Sequence, residues 1–91
     1  MIQSKEQAIR RAKADLSKRL GIAENQISEA SIENADFPDM SLGAPAEDEM
    51  SAQMISSGWR IQLNAEDKNY EYRADADQLR LFQFEGTNHL V

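Results

Sequence analysis

The sequence predicts an α+β fold, with one N-terminal helix packed across a curved four-stranded antiparallel meander. Three observations carry this. Ile9, Ala12, Leu16 and Leu20 recur at helical spacing on one stripe. Later segments alternate apolar and polar side chains with the period of two that a half-buried strand requires. Folding those segments about their turns gathers their apolar residues on one face, which a single amphipathic helix can cover. With 91 residues there is enough chain for one domain, 1–91, with one modest core.

The helix is expected over residues 5–20. Ser4 is a suitable N-cap, and Gln7 three residues later completes a capping box. Glu6–Arg10 and Asp15–Arg19 are acid-before-base pairs four residues apart. Gly21 suits the left-handed residue that ends a helix, and Ile22 can fold back onto Leu16.

A first strand is expected over 28–35, with Ala30 and Ile32 on one face and Glu29 and Glu33 on the other. A second is expected over 50–64. Met50, Ala52 and Met54 alternate first, Gly58 suggests a bulge or bend, and Trp59, Ile61 and Leu63 alternate after it. Two more follow over 69–75 and 78–85. Folding about residues 66–67 sets Leu63 against Tyr70, Ile61 against Tyr72 and Trp59 against Ala74. Folding about 76–77 sets Tyr72 against Leu81 and Ala74 against Leu79. Arg60, Gln62, Glu71, Arg73 and Arg80 fall on the opposite face. Phe82 and Phe84 fall there too, so either a bulge turns them or something covers them. The tail 86–91 is expected to fray.

The loop 36–49 has fourteen residues, among them two prolines, one glycine and five carboxylates, and is long for a compact domain. Pro38 forces Phe37 into an extended conformation that can direct it into the core. Gly43 is expected at positive φ, with Leu42 as the anchor. A loop stiffened in this way also suits recognition, because little ordering entropy is lost on binding.

Phe37-Pro38-Asp39-Met40-Ser41-Leu42-Gly43-Ala44-Pro45 resembles the aromatic-Pro-Asp-x-Ser-Leu-Gly-Cys-Pro loop of a family of small, largely uncharacterised bacterial domains. The similarity continues through Met50, Gln53, the run Gly58 to Leu63 and Tyr70-Glu71-Tyr72, and it covers most of residues 5–84. The predicted helix-and-meander layout is cystatin-like in outline, and members of the family are sometimes compared with peptidase inhibitors. Family members typically have cysteine where Ala44 stands and another near the end of the last strand, and often histidine where Arg73 stands. Loss of both cysteines here is what a disulfide in the relatives would imply. It suggests that Ala44 packs near Phe82 or Phe84 instead. Many relatives are exported; a chain without cysteine and without an apolar leader favours the cytoplasm.

Composition narrows the function classes. The absence of cysteine removes thiol nucleophiles and thiolate metal sites. Residues 1–22 hold six basic and two acidic side chains, and the rest of the chain is strongly acidic, to a net charge of −6. The basic groups scatter around the helix, so a basic helix lying on an acidic remainder is preferred to nucleic-acid binding. No run is long enough to span a membrane. His89, the only histidine, sits near the end of the chain, and no nucleophile constellation accompanies it. Asp36, Asp39, Glu47, Asp48 and Glu49 crowd the loop without EF-hand spacing, so neither a metal nor a cofactor is expected.

The reading is a non-catalytic module that binds a protein partner through Phe37, Pro38, Asp39, Leu42, Gly43, Ala44 and Pro45, as a monomer or weak dimer. The alternative is self-association through an edge segment 50–57.

Overall fold

The computed structural model describes residues 3–47, 49–50 and 52–91. They form α1 (Lys5–Leu20), a short 3-10 turn (Glu24–Gln26) and five strands: β1 (Ser28–Phe37), β2 (Ser56–Ala65), β3 (Lys68–Ala74), β4 (Leu79–Phe84) and β5 (Thr87–Leu90). The strands make one antiparallel meander in the order β1-β2-β3-β4-β5.

The start of α1 shows both halves of the capping box: the Gln7 amide donates to Ser4 Oγ, and the Ser4 amide donates to Gln7 Oε1. Gly21 ends the helix at φ 67. Upstream, the Gln3 side chain donates to the carbonyls of Asp75 and Gln78 at 2.8 Å each, which fastens the chain's beginning to the β3–β4 turn. The buried face of α1 is Ala8, Ala12 and Leu16, which pack on Ile61, Leu63, Tyr72, Ala74, Leu79 and Leu81. Tyr72 is fully buried, and its hydroxyl donates to Asp15 Oδ2 at 2.7 Å. Burial and that bond to a carboxylate push its pKa well above the ordinary phenol value.

The central registers follow from two turns. Leu63 faces Tyr70, Ile61 faces Tyr72 and Trp59 faces Ala74; Tyr72 faces Leu81 and Ala74 faces Leu79. Glu66 and Asp67, at φ 54 and 64, form a two-residue turn with both φ positive, which matches the twist of a tight hairpin.

Several expectations need correction. The sheet has five strands rather than four, and the cystatin-like outline is not reproduced exactly. The tail does not fray: Glu85 and Gly86, at φ 53 and 81, make a second tight turn, and β5 pairs with β4. β1 runs on to Phe37, and a bulge between Glu29 and Ser31 takes Ala30 out of the ladder and puts Glu29, not Ala30, opposite Leu63. β2 begins at Ser56, not Met50, because β1 ends at Phe37, before Pro38, and leaves Met50 and residues 52–55 without a ladder to join; Ser51 lies outside the described residues. Ser56 and Ser57 pair with Phe37 and Asp36 of β1, and the ladder with β3 begins only at Trp59. Gly58 is no bulge. It faces Ala35 in register, and a Cβ there would lie 2.0 Å from the Ala74 carbonyl oxygen.

The two misfit phenylalanines separate. Gln83 takes φ 52, and the ladder with β5 shifts between Leu81 and Phe84. Phe84 is thereby turned to the helix side, beside Tyr70 at a centroid distance of 6.0 Å and under the Arg19 guanidinium. Phe82 stays on the other face, with the Arg73 guanidinium 3.8 Å above its ring.

Candidate functional site

The face of the sheet opposite α1 carries long polar side chains, and the loop that follows β1 lies across it. The loop is held chiefly through its own carbonyls. Gln78 Nε2 donates to the Met40 carbonyl at 2.7 Å, and Arg73 Nη1 donates to those of Leu42 and Gly43 at 3.0 and 3.1 Å. Arg80 Nη1 donates to the Ala44 carbonyl at 3.2 Å, and Asn88 Nδ2 to that of Pro45 at 2.9 Å. These anchors come from β3, the β3–β4 turn, β4 and β5. The fifth strand thus serves the loop directly.

Inside the loop, Asp39 organises the turn. Its Oδ1 accepts from the Ser41 hydroxyl at 2.6 Å and from the amides of Ser41 and Gly43 at 3.0 Å each. The Ser41 hydroxyl, then the Gly43 amide, hold the Asp39 carboxyl below its usual range. Leu42 and Gly43 follow at φ 59 and 66, and a Cβ on Gly43 would come within 2.8 Å of Arg73 Nη1. Positive φ at Leu42 strains a side-chain-bearing residue and is held by these surrounding bonds.

Arg80 is the deepest charge, only 4% exposed. Its guanidinium grips Glu49 through both carboxylate oxygens, with the Nη2–Oε2 contact at 2.7 Å, and its Nε donates to Gln78 Oε1 at 2.7 Å. The Ala46 amide adds a bond to Glu49 Oε1 at 2.9 Å. The Arg80 bond first, and the Ala46 amide second, bring the Glu49 pKa down to about 2. Arg73 bonds Glu71 Oε2 at 2.7 Å, and Phe37 lies under the guanidinium groups of both Arg60 and Arg73 at 5.9 and 5.6 Å.

The seven residues expected to meet a partner divide. Phe37, Leu42 and Ala44 are buried beneath the loop, where they pack rather than greet. Pro38 and Pro45 are exposed, and Asp39 and Gly43 are half-buried and engaged in the turn. Arg73, Arg80, Glu49, Gln78 and Asn88 were not among them, although they hold the loop in place. A signal was available: the 76–77 fold sets Arg73 directly opposite Arg80, and two like charges across a ladder require something to answer them. Among the described residues no group of three or more histidine, aspartate or glutamate side chains could hold a metal, and no helix is long and apolar enough to cross a membrane.

A family model described as a domain of unknown function, DUF8738, matches residues 9–82. The chain belongs to the DUF8738 family. The DUF8738 match begins inside α1 and ends at Phe82, so it takes in the whole loop, Arg73 and Arg80 but not β5. No curated protein and no solved structure matches the chain.

Proposed function

We propose that this chain is a non-catalytic module that binds another protein through the outer side of the loop and the segment 50–55 that follows it. The observation that carries this is four exposed apolar side chains on the anchored loop and the segment tied to it. Met40 is 49% exposed, Met50 97%, Met54 62% and Ile55 78%. The Met40 amide donates to the Ala52 carbonyl at 3.0 Å, which brings the loop and the following segment together. Grouped exposed apolar residues favour an interaction surface, and methionine adapts to varied partners. The anchored carbonyls lower the entropy that binding must cost.

The loop's chemistry supports a role without catalysis. Among the described residues of the loop, Asp39 and Glu49 have depressed pKa values, and both are engaged in holding the turn.

The test is affinity capture with wild type and with a Met40→Lys, Met50→Lys, Met54→Lys, Ile55→Lys variant, whose changes all lie on exposed side chains. Capture of a partner by wild type alone supports the reading; equal capture by both overturns it. A mass that rises with concentration in wild type and not in the variant would make the surface one for self-association.

A further inference from the structure

The sheet opens between the first half of β3 and the end of β4. Their ladder ends at the Glu71–Phe82 pair, although β3 starts at Lys68 and β4 continues to Phe84. The cause is local. Gln83, at φ 52, turns the strand away toward the Glu85–Gly86 hairpin, and the Gln83 amide is taken by Asn88 Oδ1 at 2.9 Å instead of by β3.

A slot of about 520 Å³ lies in this opening, within the size range of ligand pockets. Tyr70, Phe82 and Phe84 supply aromatic wall, and Leu20 at the end of α1 adds an apolar side. The charged groups on its lining are Glu66, Glu71, Glu85 and Lys68. Glu71 is committed to Arg73 at 2.7 Å and Arg60 at 3.5 Å. Glu66 and Glu85 are exposed at the tips of the two tight hairpin turns. They outnumber the single ammonium of Lys68.

The rings already show what they accept. Arg73 stands over Phe82 and Arg19 over Phe84, at 3.8 and 5.6 Å. Both of these guanidinium groups are neutralised nearby, by Glu71 and by Asp15. The slot therefore combines aromatic wall with two carboxylates, Glu66 and Glu85, that pair with no other side chain among the described residues. A planar cation answers both features, because guanidinium stacks on rings and bonds carboxylates in the same plane.

We propose that this slot receives an arginine side chain presented by another protein, with its guanidinium among Tyr70, Phe82 and Phe84 and its charge met by Glu66 and Glu85. The slot is lined by none of the residues of the loop's outer surface, so the two readings fail separately.

The experiment is an NMR titration of the full chain with the peptide acetyl-Ala-Arg-Ala-amide and with its neutral isostere, in which citrulline replaces arginine. The arginine peptide is expected to shift the ring signals of Tyr70 and Phe84 and to bind about tenfold more tightly than the citrulline peptide, the difference made by charge-assisted bonds. A Glu66→Gln, Glu85→Gln variant keeps the shape of two exposed side chains and is expected to lose about tenfold in affinity for the arginine peptide. Met50→Lys on the loop surface is expected to leave binding unchanged. Absence of ring shifts, equal binding of the two peptides, or full binding by the Glu66→Gln, Glu85→Gln variant each overturns the proposal.

Discussion

The two faces of the sheet are covered in opposite ways. On one, α1 lays Ala8, Ala12 and Leu16 on the apolar side chains of β2, β3 and β4. On the other, the loop after β1 presents main-chain carbonyls to Gln78, Arg73, Arg80 and Asn88. The first cover is non-directional and scales with buried apolar area. The second is directional and depends on each donor meeting its acceptor. A helix face can therefore lose one side chain and still lie in place, whereas the loop depends on a few atoms.

Leu16→Ala tests the helix side and has the largest expected effect. It empties a fully buried site and should lower global stability by about 2–5 kcal/mol, read from denaturant unfolding. Equal loss from a loop substitution would break the comparison.

Arg80→Met tests the other side. It leaves the Ala44 carbonyl without its Arg80 donor and Glu49 with the Ala46 amide in place of the arginine, and should cost about 1–3 kcal/mol. Glu49 lies at the loop margin and can regain water, so the cost falls below that of a fully buried pair. Amide exchange is expected to quicken at Leu42 and Ala44 while Leu16 and Tyr72 stay protected. Uniform exchange would show that the two covers unfold as one.

Gly43→Ala sharpens the same point by about 1–2 kcal/mol, the strain of a Cβ at φ 66. The displaced group is Arg73 Nη1, so loosening should appear first at the Leu42 and Gly43 carbonyls' side of the loop.

Acid should release the loop before the helix. The folded-state pKa of Glu49 is lowered from 4.5 to about 2. Its contribution is therefore whole above the unfolded value and is lost as pH falls from about 4.5 through 2. Asp39 acts with the same sign, since its pKa is also lowered. Exchange measured across that window should show loop amides losing protection while those of α1 persist. The smallest effect is expected from Met50→Glu, within about 0.5 kcal/mol, because an almost fully exposed side chain has little packing to lose.

Much of the architecture was legible in residue spacing. The capping box fixed the start of α1, and Gly21 its end. The period of two, folded about 66–67 and 76–77, placed Trp59, Ile61 and Leu63 of β2, and Tyr72 and Ala74 of β3, opposite their true neighbours. Three features escaped because their causes are not periodic. The bulge at Gln83 comes from a single positive φ, and nothing in Phe82-Gln83-Phe84 announces it. β5 is short, and its Thr87-Asn88-His89-Leu90 does not alternate like a half-buried strand. Met50, Ala52 and Met54 alternate convincingly, yet β1 has already ended at Phe37 and offers them no partner. In the loop, the inward turn of Phe37 and the positive φ of Gly43 were readable from Pro38 and glycine. The anchors were not, because donors on strands far along the chain reach loop carbonyls that any residue type would supply.

A segment gripped by its peptide oxygens is held without regard to what its outward side chains are. The side chains of Met40, Pro45 and Glu47 are bystanders to the hydrogen bonds that Asn88, Gln78 and the two arginines make. Replacing those outward residues with randomised ones, while Asp39, Ser41 and Gly43 are kept, should give a library of folded variants differing in little but their displayed chemistry.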